Sequence, residues 1–138
     1  MRILITLFSF LALTSCVAQK EVESNSSLKV SYEARTRGFS KIIQIVDNSV
    51  ACSENTNKKT LKLSSDEKKK LLKLINEISI EEMHNFKPPT KERLFDGAPH
   101  AIVKINKNGK EYQSCNFDDG NPPKELEELV NALLMFLE

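Results

Sequence analysis

The sequence contains few of the residues from which catalytic and redox sites are usually built. Its 138 residues include no tryptophan, three cysteines, two histidines and four glycines. It has no CxxC pair, no phosphate-cradling glycine loop and no nucleophile elbow. His84 and His100 have no partner ligand at helical or strand spacing, which argues against zinc or general-base chemistry. We therefore predict a protein that is not an enzyme and that uses no metal and no cofactor.

Glycine and proline are also scarce within the periodic parts of the chain. All four glycines and all five prolines fall between segments of regular hydrophobic periodicity. The chain from residue 28 to residue 138 is thereby divided into short elements, and its length suits one domain with a single modest core.

The N-terminus carries the most specific signal. Met1-Arg2 is followed by an uncharged run from residue 3 to residue 13, which has the length of a signal-peptide core and is too short to span a bilayer. The run ends in Leu13-Thr14-Ser15-Cys16, with a large aliphatic residue three positions before the cysteine and a small residue directly before it. This segment resembles the lipobox of bacterial lipoproteins. The alternative is an ordinary secretory signal in which Cys16 is incidental.

The lipobox resemblance implies a diacylglyceryl thioether on Cys16, cleavage before it, and acylation of the freed amine. Two or more acyl chains, such as palmitate, attach a protein stably to a membrane. The expected organisation is a signal peptide over 1–15, a lipidated cysteine with a flexible tether over 16–27, and a single α+β domain over 28–138. The polar tether has a coil reach of about 18 Å. This organisation places the protein in the bacterial cell envelope and leaves the membrane and its leaflet open.

The charge balance bears on the partners. Removing residues 1–15 takes away one arginine and no acid, which leaves 19 basic and 19 acidic side chains. A neutral chain gives no reason to expect electrostatic capture of nucleic acid or of anionic lipid headgroups. The expected partners are the membrane, through the lipid on Cys16, and another envelope protein.

Residue patterns predict the elements of the domain. Residues 28–35 alternate apolar and polar side chains, as a half-buried strand does. Tight turns at Asp47-Asn48 and Asn108-Gly109 are each flanked by strand-like segments, so each predicts a hairpin. The first pairing would place Ile45 opposite Val50 and Ile43 opposite Cys52.

Two amphipathic helices are predicted, each after a polar capping residue. Ser64 and Glu67 have the spacing of a capping box ahead of one apolar stripe, and Asn121 would cap the other helix, with Pro122 in its first turn. The lysine-rich residues 55–62 read as a loop. The predicted fold is α+β, with an antiparallel sheet of about five strands and two helices packed on one face, in the order β-ββ-α-ββ-α.

Cys52 and Cys115 form an even pair in a chain with an export signal, and such a pair is a disulfide candidate. Strand parity argues against the bridge. Cys52 shares a face with Ile43, whereas Cys115 would point away from the core together with Ile102 and Phe117. We therefore favour two free thiols over a disulfide.

The acidic turns are candidate ligand sites. Asp118 and Asp119 bring hard oxygen ligands close together, which is the chemistry that calcium prefers. The turn lacks the spaced carboxylates and the terminal glutamate of a calcium loop, so turn formation and helix capping are the favoured interpretation. Asp96 likewise lies in a turn that enters a strand.

Two surface features leave alternatives open. Residues 133–137 are apolar nearly all round the last helical turn, which indicates either burial between the sheet and residues 83–99 or an exposed docking edge. Basic side chains outside the helices could form a recognition patch, although a solvated surface is favoured. They are Arg35, Arg37, Lys58, Lys59 and Arg93.

Two motifs resemble a group of small lipoproteins of Bacteroidota. The first is Phe95-Asp96-Gly97-Ala98 before a hairpin, and the second is the segment 117–123 opening a C-terminal helix. The resemblance implies a lineage and an order of elements, and no activity. The functional expectation is a lipid-anchored envelope protein that acts as a non-enzymatic binding or accessory module. The alternative is a domain that binds a small ligand or a metal ion through the turns at Asp96 and Asp118-Asp119.

Overall fold

A computed structural model describes residues 27–138. The predicted signal peptide, Cys16 and all but the last residue of the predicted tether lie outside the described residues. The domain is mixed α+β with an antiparallel sheet, which confirms the predicted class. Its strands are β1 (Lys29–Thr36), β2 (Phe39–Val46), β3 (Ser49–Glu54), β4 (Asn57–Lys62), β5 (His100–Lys107), β6 (Lys110–Gln113) and β7 (Phe117–Asp118). Its α-helices are α1 (Ser65–Glu77) and α2 (Glu127–Leu134).

The strands lie in the order β4-β3-β2-β1-β5-β6, and β7 also pairs with β5. The register predicted for the first hairpin is confirmed, because Ile45 pairs with Val50 and Ile43 with Cys52. Both predicted hairpin turns are present. Asp47 and Asn108 each have a φ of 54°, the left-handed conformation that tight hairpin turns require and that Asp and Asn tolerate.

The prediction of about five strands is wrong, because the described chain forms seven. The lysine-rich segment predicted as a loop contains β4, which pairs with β3 at one end of the sheet. An edge strand faces water on much of its surface, so it lacks the regular apolar alternation that reveals inner strands. Its lysines are typical of edges that resist pairing with other chains.

A β-bulge divides the last predicted strand into β6 and β7. Three residues separate Gln113 from Phe117, whereas two separate their partners, Lys104 and Ala101. The extra residue reverses which side of the sheet the following side chains face. Phe117 is consequently fully buried in the core, and the prediction that it points away from the core is wrong.

The helix starts were predicted with mixed success. The capping box of α1 is confirmed, because the Ser64 hydroxyl accepts from the Glu67 amide and the Glu67 carboxylate accepts from the Ser64 amide. The predicted Asn121 cap is wrong: Asn121 forms a β-bridge with Asp118, and α2 begins only at Glu127. Short 3₁₀ turns cover Ile80–Asn85, Glu92–Phe95, Lys124–Leu126 and Met135–Leu137.

One hydrophobic cluster forms the core of the described domain. Alternate residues of the central strands contribute to it, among them Tyr32, Ile43 and Val103, and the helices add Leu71 and Leu129. Tyr32 and Phe117 lie with ring centroids 6.2 Å apart. Within residues 27–138, no helix is both long enough and apolar enough to cross a membrane.

Candidate functional site

Asp118 is a fully buried carboxylate that holds a surface turn in place. Its Oδ2 atom accepts hydrogen bonds from Thr90 Oγ1 at 2.5 Å and from the backbone N–H of Glu92 at 2.8 Å. Its Oδ1 atom accepts from the Arg93 backbone N–H at 3.0 Å and from Arg93 Nη1 at 2.9 Å. Four donors from residues 90–93 therefore converge on one side chain at the end of β7.

The environment keeps Asp118 ionised. Burial by itself would raise the pKa of this carboxyl, but the hydrogen bonds from Thr90, Arg93 and Glu92 outweigh burial and hold the pKa well below its ordinary value. The Arg93 side chain is only 10% exposed and also donates to the Thr90 carbonyl at 2.8 Å. Arg93 is therefore part of a buried ion pair rather than of a solvated basic patch.

The turn that Asp118 anchors carries two exposed apolar side chains. We call residues 92–97 the apical turn. It is closed by a hydrogen bond from the Gly97 N–H to the Glu92 carbonyl at 2.9 Å, and Asp96 takes a left-handed φ of 57°. Within it, Leu94 is 60% exposed and Phe95 is 83% exposed. An exposed leucine and phenylalanine thus follow directly after the best-anchored backbone amides of the loop.

Asp119 makes a second set of contacts, to the sheet. Its Oδ1 atom accepts from the hydroxyl of the fully buried Tyr32, and its Oδ2 atom lies 2.7 Å from Lys41 Nζ. Burial raises the pKa of Tyr32 strongly, and the hydrogen bond to the Asp119 carboxylate raises it further. Lys41 also lies over the Phe39 ring, with Nζ 5.5 Å from the centroid. The Asp118-Asp119 pair therefore joins the apical turn to strands β1 and β2.

The carboxylates of Asp118 and Asp119, predicted as a candidate ligand site, are already occupied by contacts within the protein. A cation or ligand at Asp118 and Asp119 would have to displace protein donors that already occupy all four oxygens. Asp96 is exposed and comes three or more residues after Glu92 and Arg93, whose amides are anchored. No group of three or more potential metal ligands is assembled among residues 27–138.

The two inner cysteines are separate free thiols in the described domain. Cys52 is buried in β3, and its thiol lies 3.5 Å from the carbonyl oxygen of Phe136. Cys115 lies in the bulge beyond β5, three or more strand spacings away, which is about 14 Å or more. A disulfide needs Cα atoms within about 7 Å. Burial raises the pKa of both thiols.

The apolar C-terminal residues are divided between core and surface. Leu133 is fully buried, whereas Met135 is 63% exposed. Met135, Phe136 and Ala132 line a shallow groove of about 170 Å³ against Leu71 of α1. The segment also packs beside β3, so this end is buried in part, at Leu133, and exposed in part, at Met135.

Sequence reasoning singled out Asp118 and Asp119 but missed what they bind. The donors to Asp118 lie 25 to 28 residues away in the chain, and those to Asp119 lie 78 and 87 residues away. No local pattern reports contacts at that range. The sequence signals for the apical turn were the turn predicted at Asp96 and the lack of a periodic pattern that would bury Leu94 and Phe95.

Comparison with known proteins provides no assignment: no family model matches the chain, and no curated protein or solved structure is significantly similar to it.

Proposed function

We propose that this chain is a lipid-anchored protein of the bacterial cell envelope whose domain is a non-enzymatic binding module. The lipobox-like segment ending at Cys16 supports the anchor. The presentation of Leu94 and Phe95 supports the binding role and is the observation on which it depends. These side chains are held out by a turn whose amides are bonded to a buried carboxylate.

The physical reason is preorganisation. An exposed apolar side chain contributes little to the stability of the fold, and fixing its backbone in one conformation costs conformational entropy. A contact residue that is already held in its bound position avoids that cost at the moment of binding. Aromatic side chains in such positions contribute much of the binding energy at protein interfaces. We also infer that both helices cover one face of the sheet, because their buried side chains belong to the same cluster as those of the central strands.

Two experiments test the two parts. For the anchor, cells expressing the wild type or Cys16→Ala are labelled with radioactive palmitate and fractionated. The wild type should carry label and sediment with membranes, and the variant should lose label and become soluble. Label retained in Cys16→Ala would contradict the anchor.

For the binding role, the full-length protein is solubilised in mild detergent and its sedimentation is compared with that of a Leu94→Ser, Phe95→Ser double variant. The wild type should sediment as a larger complex, and the double variant should not. Met135→Ser is the matched control, because it removes an equally exposed apolar side chain elsewhere and should leave the complex intact. Identical sedimentation of the wild type and the double variant would contradict the binding role.

A further inference from the structure

One edge of the sheet, formed by β4, is open to solvent. Within residues 27–138, β4 pairs with β3 on one side and with no strand on the other, and five of its six residues are exposed. At the other edge, the 3₁₀ turn Ile80–Asn85 packs against β6, and the Cys115 N–H just beyond β6 donates to the Met83 carbonyl at 2.9 Å. The two edges therefore differ, and β4 is the one with room for another strand.

The register shows which backbone groups of β4 face outward. In an antiparallel pair, successive residues direct their N–H and C=O groups alternately toward the partner strand and away from it. The Leu63 N–H donates to the Asn48 carbonyl at 2.9 Å, so Leu61 and Lys59, the alternate residues before it, also face β3. The outward-facing residues of β4 are therefore Lys58, Thr60 and Lys62. Each offers one N–H and one C=O group to an added strand.

The core face of the sheet is partly apolar at this edge. Lys59 and Leu61 pair with the buried residues Cys52 and Val50, so their side chains lie on the core face. Leu61 is 39% exposed, and a cavity of about 180 Å³ opens between β4 and Leu137. Apolar side chains of an added strand would bury surface at both places.

The opposite, outer face is basic at this edge. Lys58 and Lys62 lie on it, and neither forms an ion pair with another described residue. The neighbouring outer-face side chains of β3 and β2 are all uncharged: Ser49, Ala51, Ser53, Ser40, Ile42, Gln44 and Val46. The acidic side chains closest to β4 lie on the core face, in a turn or at the ends of helical segments: Glu54, Asp47, Asp66, Glu67 and Glu138. The outer face of the β4 edge therefore attracts carboxylates.

From these observations we propose that β4 is a docking edge for an extended segment of another protein in which acidic and apolar side chains alternate. The segment extends the sheet through main-chain hydrogen bonds to the outward-facing residues of β4. Its acidic side chains face Lys58 and Lys62, and its apolar side chains face Leu61 and the cavity beside Leu137. This surface is separate from the apical turn, because β4 lies four strand spacings, about 19 Å, from β5.

The lysines of β4 also restrict which strands the edge accepts. Like charges directly opposite one another destabilise a pair of strands, which is how lysines protect an edge. A second copy paired antiparallel about Thr60 would place Lys58 of each copy opposite Lys62 of the other. An acidic strand forms ion pairs with the same lysines. The charge that deters one class of strand therefore attracts another.

Binding of synthetic peptides to the full-length protein in mild detergent tests the proposal. The probe is a fluorescein-labelled peptide of alternating glutamate and valine, about eight residues long. One control peptide alternates lysine and valine, and the other contains the glutamates and valines of the probe in two separate blocks. Fluorescence anisotropy should show that the probe binds at least about tenfold more tightly than either control. No binding of the probe up to about 1 mM, or equal binding of the two glutamate peptides, would overturn the proposal.

A proline at Thr60 separates strand addition from simple charge attraction. Thr60→Pro removes an outward N–H and leaves every charge of β4 in place, and proline is tolerated on an edge strand where the N–H faces solvent. It should weaken binding of the probe at least about tenfold, because the ring replaces a main-chain donor and obstructs the added strand. Thr60→Ala keeps the N–H and should bind the probe as the wild type does. Unchanged binding by Thr60→Pro would overturn the proposal.

A charge reversal tests the role of the lysines without altering the backbone. Lys58→Glu combined with Lys62→Glu should weaken binding of the probe at least about fivefold and should strengthen binding of the lysine-valine peptide. Lys69→Glu combined with Lys73→Glu is the matched control, because it reverses two exposed lysines of α1 and should change neither affinity. An equal loss of probe binding in both double variants would contradict the assignment to β4.

Amide hydrogen exchange identifies what occupies the edge. The amides of Lys58, Thr60 and Lys62 should exchange rapidly in the free protein and slowly with the probe bound. Slow exchange without the probe would overturn the proposal, because the edge would already be covered. Protection that rises with protein concentration would identify a second copy as the cover, and protection independent of concentration would identify the N-terminal segment of the same chain.

The proposal and the proposed function can fail separately. The Leu94→Ser, Phe95→Ser double variant should bind the probe as the wild type does, because these residues lie outside the β4 edge. Weaker binding of the probe by that variant would contradict a separate surface at β4.

Discussion

The Arg93 guanidinium lies 2.9 Å from the Asp118 carboxylate, and the carboxylate is fully buried beneath it. The pair joins the irregular segment before β5 to the short strand β7, which are far apart in the chain and adjacent in the fold. A buried ion pair is costly to break from one side only, since the remaining charge loses its partner. This pair therefore fixes the position of the apical turn and of Leu94 and Phe95 beyond it.

Asp118→Asn should destabilise the domain by about 3 kcal/mol, because Arg93 would be left as an uncompensated buried charge. Amide hydrogen exchange of the wild type should show protection at Glu92 and Arg93, and the variant should lose it. Thermal unfolding should shift downward by roughly 10 °C or more. Asp96→Asn is the control, since Asp96 is exposed and should affect neither measurement. Equal protection of both amides in the wild type and Asp118→Asn would contradict the role given to Asp118.

The stability of the fold should decrease at acidic pH because of the same Asp118 carboxylate. The pKa of Asp118 is lower in the folded domain than in the unfolded chain, where it is about 3.9, so the unfolded chain binds the proton more readily. Its stabilising contribution is therefore complete above about pH 4 and is lost as the pH falls further. Urea unfolding between pH 7 and pH 2 should show the wild type losing more stability in acid than Asp118→Asn. Parallel curves for the two proteins would contradict the assignment.

The stability of the fold should also depend on pH at alkaline values, because of Tyr32. Its pKa is raised in the folded domain, so its neutral form stabilises the fold below about pH 10, and that contribution is lost as the pH rises above the ordinary value. The absorbance change of tyrosine ionisation near 295 nm should be compared between the wild type and Tyr32→Phe. The signal assigned to Tyr32 should appear only well above pH 10, together with unfolding. Titration of that signal near pH 10 in a folded protein would show that Tyr32 is not buried against Asp119.

Lys41 and Tyr32 should be energetically coupled, because both bind the Asp119 carboxylate. Lys41→Met and Tyr32→Phe should each cost about 1–3 kcal/mol, as expected for mostly buried hydrogen bonds to a charged group. In the double variant, the loss of unfolding free energy should differ from the sum of the two single losses by at least about 0.5 kcal/mol, the range seen for residues of one network. Strict additivity in denaturant unfolding would mean that the two residues act independently.

Cys52 and Cys115 should both be reduced in the full-length protein. Digestion and mass spectrometry of the non-reduced chain should give Cys52 and Cys115 in separate, unlinked peptides, since they lie at least about 14 Å apart. Alkylation of the native protein should be slow at Cys52, which is buried, and fast only after denaturation. A peptide that links Cys52 to Cys115 would contradict this strand order.

The parts of the fold that could be predicted are those that local patterns determine. The hairpin at Asp47-Asn48, its register and the capping box at Ser64 all depend on residues within a few positions of one another. β4 was missed because a lysine-rich edge strand has no buried face to produce an alternation. Phe117 was placed on the wrong face because one bulged residue reverses the parity of a strand, and no sequence pattern announced the bulge.

The candidate site could be predicted only in part, for a related reason. Asp118 and Asp119 stood out as adjacent acids in a turn, and that pattern is compatible with binding a cation, capping a helix or holding a loop. The deciding information is which donors the fold brings to them, namely Thr90, Arg93 and Lys41, all distant in sequence. The exposure of Phe95 likewise depends on where the neighbouring elements lie, which a local sequence pattern does not give.

If Asp118 holds Phe95 in position for a partner, as proposed, removing the Asp118 charge should weaken contact between position 95 and that partner. A photoreactive phenylalanine analogue replaces Phe95 in the full-length chain, in combination with Asp118→Asn or with Asp96→Asn. The yield of crosslinked adduct in cells is measured at equal protein levels and at a temperature where both variants are folded. The adduct yield should be at least about fivefold lower with Asp118→Asn and unchanged with Asp96→Asn. An equal yield in both variants would contradict the role of Asp118 in positioning Phe95.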